Sequence, residues 1–216
     1  DKQWKEIAFI QEETDYASGV YTAFADMFSR FDGHVTNESF STQTTDMSGI
    51  VARARAKNPD AVYISVQTAP VAARVFDEIK RIGWNPNILV SDVVAGDPSV
   101  IAQYADLLEG GLAAEFSFNP LNRKFALLTA TYKLKYGEEI PYPNYMQTAY
   151  DATYLVRDAI TSTSNNGTKI AKWLHSVKGW EGASGSLTVN QKGDPIAGHQ
   201  AETFKKGRAV PYVKGK

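Results

Sequence analysis

His34, His175 and His199 are the only histidines in the chain, and none has a carboxylate or a nucleophile at the spacing of a triad or a metal site. There is no cysteine, which excludes thiol catalysis, cysteine-ligated zinc and a disulfide scaffold. Gly182-Ala183-Ser184-Gly185-Ser186 has the outline of a nucleophile elbow but lacks the glycine two residues after the serine. It also precedes a strand, whereas an elbow joins a strand to a helix. No Gly-x-Gly-x-x-Gly follows the first strand and no P-loop occurs, so a phosphate cradle is missing. No cofactor or metal is expected. What remains is recognition by hydrogen bonding and stacking, and Tyr16, in the polar turn Gln11–Tyr16, is the first residue placed to do it.

The elements around Tyr16 give it that place. Ile7–Ile10 is a short apolar run that reads as a buried strand, and Val20, Phe24, Phe28 and Phe31 recur at helical spacing with Ser18 as N-cap. A turn from strand into helix lies at the carboxyl edge of a parallel sheet, where open α/β folds bind ligands. A second reading stands beside this one: Tyr16 closes the turn with its ring on neighbouring side chains.

The same unit repeats. His34–Phe40 is followed by a helix over Asp46–Lys57, with Met47, Ile50, Val51 and Ala54 on one face. Ala61–Val66 is a continuous apolar run, hence a central strand covered on both faces. The turn Gln67-Thr68-Ala69 leads to Pro70 at a helix start and on through Val71, Val75, Ile79 and Ile82. Asn87–Val90 is a strand, Ser91–Pro98 a loop, Ser99–Leu107 a helix and Gly111–Phe116 a strand. Alternation with short connections predicts a parallel sheet flanked by helices in three layers, Rossmann-like.

From Asn119 the pattern changes. Leu121–Tyr136, Asn144–Thr161 and Thr168–Val177 read as helices, with no strand between residues 119 and 183. Only Ser184–Val189 and His199–Lys205 read as strands afterwards. Amphipathic helices in an α/β chain bury their stripe on a sheet. The last two helices have none in these residues, which predicts that the strands they cover lie elsewhere and that their open faces favour self-association.

Composition narrows the partners. The 216 residues are 43% hydrophobic and 22% charged with net charge −1, which is globular and carries no basic footprint for nucleic acid or an anionic membrane. No apolar run approaches the roughly 20 residues of a spanning helix. No basic-then-apolar leader opens these residues.

Six stretches, in order, resemble type I periplasmic solute-binding proteins of ABC transporters, in the branched-chain amino acid branch. They are IAFIQEETDYASGV (Ile7–Val20), NPDAVYIS (Asn58–Ser65), IKRIGWNPNILVSD (Ile79–Asp92), EGGLAAEFSFNP (Glu109–Pro120), YGEEIPYPNYMQTAYDATYLVRDAI (Tyr136–Ile160) and GASGSLTVNQKGDP (Gly182–Pro195). The resemblance implies an incomplete two-lobe architecture. Residues 1–118 and 199–216 would form the second ligand-binding lobe, and 119–198 the helices and one strand that complete a first lobe mostly absent from this chain. It implies non-catalytic capture of a small molecule, an amino acid or a related carboxylate or aromatic acid. It further implies delivery to a membrane ABC permease and a periplasmic or extracellular location. A ligand-sensing domain of a receptor or regulator with the same fold is the alternative.

Carried over position by position, the family's second-lobe contacts fall on Tyr16, on Gln67 or Thr68, and on Asp92. The family's Tyr-Gly turn is Tyr16-Ala17 here, with glycine displaced to Gly19, and a Glu that some relatives carry is Val93. Phe116–Pro120 resembles a hinge crossing that walls the site. Structural readings stay open beside these: Thr68 as a helix cap, Asp92 as a turn former, and Tyr150, Asp151 and the four tryptophans as packing residues.

Overall fold

The computed structural model describes residues 2–117, 119–196 and 198–214. Two compact units are present, unit 1 from Asp1–Glu115 with Gln200–Lys216, and unit 2 from Phe116–His199.

Unit 1 is built on β1 (Glu6–Glu12), β2 (His34–Phe40), β3 (Ala61–Ser65), β4 (Asn87–Val90), β5 (Leu112–Phe116), and a later pair. Strands β1 to β5 pair in parallel, in the spatial order β5-β4-β3-β1-β2. The central strand β3 is buried along its whole length, as its unbroken apolar run requires. One face carries α2 (Ser48–Ala56) and α3 (Ala69–Arg81); α3 buries Val71, Ala72, Val75, Phe76 and Ile79. Against the other face lies α1 (Asp15–Ser29), whose Tyr21 and Phe24 pack on Phe9, itself stacked 4.5 Å from Tyr63. Three short helices, α4 (Asp92–Ala95), α5 (Pro98–Gln103) and α6 (Ala105–Leu108), lead to β5. They replace the loop and single helix predicted there, because Asp97 caps α5 and Tyr104 breaks the run.

Unit 2 holds α7 (Arg123–Tyr136), α8 (Pro143–Thr163) and α9 (Gly167–His175). Gly137, with φ of 77°, ends α7 in the left-handed conformation that glycine adopts freely. A three-stranded sheet follows, of β6 (Trp180–Glu181), β7 (Ser186–Val189) and β8 (Pro195–Ile196). Strand β6 corrects the expectation of no strand before residue 183, and β8 was not expected; a two-residue strand is too short to leave a periodic signal. Finally β9 (His199–Lys205) and β10 (Arg208–Pro211) form an antiparallel pair on the β5 edge of the large sheet.

The opening unit needs a second correction. Strand β1 continues through Gln11 and Glu12, which are buried, and the N-cap of α1 is Thr14, whose hydroxyl accepts the Ala17 N–H at 3.2 Å. Ser18 lies inside the helix. Tyr16 therefore stands in the first helical turn and not in the turn before it.

Candidate functional site

The carboxyl ends of β1, β3 and β4 are neighbours in register, and the predicted site residues lie just beyond them. Tyr16 projects from the first turn of α1 and Asp92 opens α4, and the Tyr16 hydroxyl donates to the Asp92 carboxylate. Residues 76 positions apart are thereby joined across the sheet edge. Burial pushes the Tyr16 phenol up, and the bond it donates to Asp92 pushes it further, so it stays protonated. Burial and then the charge of Asp92 act in the same direction on Tyr63, in the strand beneath.

Gln67 and Thr68 follow β3 and are both exposed. Thr68 is the N-cap residue of α3, yet its hydroxyl makes no capping bond. The Thr68 carbonyl accepts the Val71 N–H at 3.0 Å, as the first acceptor of the helix. Gln67 is held through its backbone, its N–H donating to Glu12 Oε2 at 2.8 Å. The structure thus brings Tyr16 and Asp92 together directly. It ties the Gln67 turn to β1 through a residue that sequence reasoning missed.

Glu12 is 4% exposed, a carboxylate at the end of a strand whose middle, Ile7–Ile10, is apolar. Gln11 and Ser65 were missed with it. They are registered partners, 7% and 0% exposed, and neither Gln11 Oε1 nor Ser65 Oγ has a hydrogen-bond partner among the described residues. One signal was legible: polar side chains ending an apolar run at the edge where ligands sit.

In unit 2, Asp151 is 2% exposed and accepts bonds from the Ala183 N–H (2.5 Å), the Ser184 N–H (2.8 Å) and the Ser184 hydroxyl (2.5 Å). The serine of the elbow-like stretch is therefore committed to a carboxylate that holds the turn. Beside it runs an open groove of about 850 Å³, lined by Tyr145, Ala152, Leu155, Leu174 and Leu187. Phe116 meets Tyr145 edge to face at 5.8 Å and His199 at a tilt at 4.8 Å within this unit. Of the predicted hinge segment, Phe118 lies outside the described residues. Among the described residues no group of three or more metal-ligating side chains converges, and no helix is long and apolar enough to cross a membrane.

Residues 1–203 match the family model described as periplasmic binding protein. The fold is similar to a leucine binding protein, LivK, from Thermotoga maritima, with a TM-score of 0.83 and 27% identity over 97% of this chain. A type 1 periplasmic binding protein from Bordetella pertussis superimposes with a TM-score of 0.83 at 22% identity over 98% of this chain. The branched-chain amino acid transporter substrate binding protein LivJ from Streptococcus pneumoniae, solved with isoleucine, gives 0.74 at 20% identity over 98%. The chain spans 60%, 62% and 62% of those three chains. No curated protein matches it.

Proposed function

From its membership of the periplasmic binding protein family, to which this chain belongs, we propose that unit 1 is one jaw of a non-catalytic solute receptor. The jaw captures a small molecule, an amino acid or a related carboxylate or aromatic acid, for delivery to a membrane ABC permease from the periplasm or the cell exterior. Unit 2 belongs to the opposing lobe, completed by residues outside these 216. The observation that carries this reading is the Tyr16–Asp92 pair at the carboxyl edge of the central strands, beside the exposed side chains of Gln67 and Thr68. Open α/β sheets bind ligands at that edge. Closure of two lobes on the solute by a hinge then gives the permease a surface that differs between empty and loaded states.

A two-jaw site divides its contacts. A whole site with Kd near 1 μM corresponds to about −8 kcal/mol, and half of its contacts leave binding in the millimolar range. Calorimetry on the 216-residue chain with amino acids and aromatic acids should therefore show no tight binding, while a chain of the relatives' full length binds. Sub-micromolar binding by these residues alone would refute the divided site.

A further inference from the structure

We propose that Asn166 is a site of spontaneous covalent modification, deamidation through a cyclic imide, and that the product formed decides how firmly α9 is held at its start. In this route the backbone nitrogen of the next residue attacks the side-chain amide carbon, so the next residue sets the reaction. The chain has ten asparagines. Asn58, Asn85 and Asn119 precede proline, whose nitrogen carries no hydrogen and cannot take part. Asn37, Asn87, Asn122, Asn144, Asn165 and Asn190 precede residues whose side chains crowd the ring. Asn166 alone precedes glycine. A Cβ added at Gly167 would meet nothing within 4 Å, so the space around the attacking nitrogen is open.

The fold restrains several competitors more than it restrains Asn166. Asn144 is buried. Asn122 caps α7 through Oδ1 and donates to the Gly182 carbonyl at 3.0 Å. Asn190 accepts the Lys192 and Asp194 N–H groups and donates to the Asp194 carboxylate. Asn166 is exposed, and its side chain makes one bond among the described residues, accepting the Lys169 N–H at 3.0 Å. That bond is the N-cap of α9, and with ψ of 112° at Asn166 it holds the Gly167 nitrogen away from the amide carbon. Ring closure therefore waits for the first turn of α9 to open. Opening costs little, because α9 has nine residues, none of them buried, and begins with a glycine.

The reaction balances with water alone. The Gly167 nitrogen loses its proton and bonds to Cγ of Asn166, the bond from Cγ to the side-chain nitrogen breaks, and ammonia leaves. Water then opens the five-membered ring. Cleavage of the new N–Cγ bond leaves aspartate. Cleavage of the original peptide bond leaves isoaspartate, with the main chain rerouted through Cβ and Cγ. Either product makes the net charge of −1 one unit more negative. Aspartate keeps the cap and places a full negative charge at the N-terminus of α9, which the helix dipole favours. Isoaspartate lengthens the main chain and takes the capping oxygen out of place, so the first turn frays. Helix α9 supplies Ala171 and Leu174 to the open groove of unit 2, so the isoaspartate form loosens one wall of that groove.

The test is incubation of the 216-residue chain at mildly alkaline pH, with peptide mass spectrometry at every asparagine and enzymatic methylation to count isoaspartate. Asn166 should convert severalfold faster than any other asparagine, with isoaspartate the larger product. Its rate should lie within about tenfold of that in guanidinium chloride, since one capping bond restrains it. Gly167→Ala places its Cβ in open space, keeps the fold and should slow conversion at position 166 to the level of the other asparagines. Hydrogen exchange at the Lys169 and Ile170 amides should quicken in the isoaspartate form and stay unchanged in Asn166→Asp. Conversion at Asn166 no faster than at Asn165 overturns the site. A folded-state rate far below the denatured one overturns the easy opening of α9, and unchanged exchange in the isoaspartate form overturns its effect on the helix.

Discussion

In unit 1, α3 buries Ala69, Val71, Ala72, Val75, Phe76 and Ile79, a full stripe, against the large sheet. In unit 2, α9 carries Ile170, Trp173 and Leu174 at the same helical spacing and buries none of its residues. Its neighbour α8 goes further: it buries Asn144, Gln147 and Asp151 and leaves Val156 and Ile160 exposed. The stripe on a helix states which face is to be covered, and only a sheet or another helix supplies the cover. Unit 1 contains that sheet. In unit 2 the three strands β6, β7 and β8 are short, and the apolar groove beside α8 and α9 stays open among the described residues.

Substitutions should separate the two regions. The largest effect belongs to α3: Phe76 is fully buried, its ring 5.0 Å from that of Tyr104. Phe76→Ala should cost about 3–5 kcal/mol by urea unfolding. Asp151→Ala comes next, at roughly 2–3 kcal/mol, because it removes the acceptor of three hydrogen bonds and strands buried N–H groups. Leu174→Ala in α9, where the side chain is only half-buried, should cost about 1 kcal/mol, well below the cost in a closed core. A loss at Leu174 approaching that at Phe76 would mean that the α9 face is already covered, and the contrast between the units would fall.

The unit 1 sheet was legible from its middle outward, because β3 is an apolar run broken only by its last residue, Ser65. Ala61–Val66 was expected as the central strand and Ala61–Ser65 is that strand, buried throughout. The edges were harder to read. Gln11 and Glu12 look like turn residues by type, but their neighbours bury them and they finish β1. That error displaced the start of α1, since Thr14 caps a helix that begins before Ser18. Tyr16 and Asp92 could be named from the sequence, but nothing in a linear pattern says that one donates to the other across 76 positions. Glu12 acts through a backbone N–H, an interaction that residue type does not encode. Asp151 was open to a packing reading, and its role as the acceptor that holds Ala183 and Ser184 appears only when the turn is folded back on α8.

Unit 2 interrupts unit 1 in the chain, between Glu115 and Gln200, so the large sheet is assembled in two instalments separated in time. On the ribosome β1 to β5 emerge before unit 2, and a parallel sheet is slow to assemble and exposed while it does. The partner of β5, strand β9, emerges only after the whole of unit 2. Until then β5 is a bare strand edge, a template for any extended polypeptide nearby. Nascent chains should be most prone to mispairing during that interval, and the last hairpin, β9 with β10, closes it.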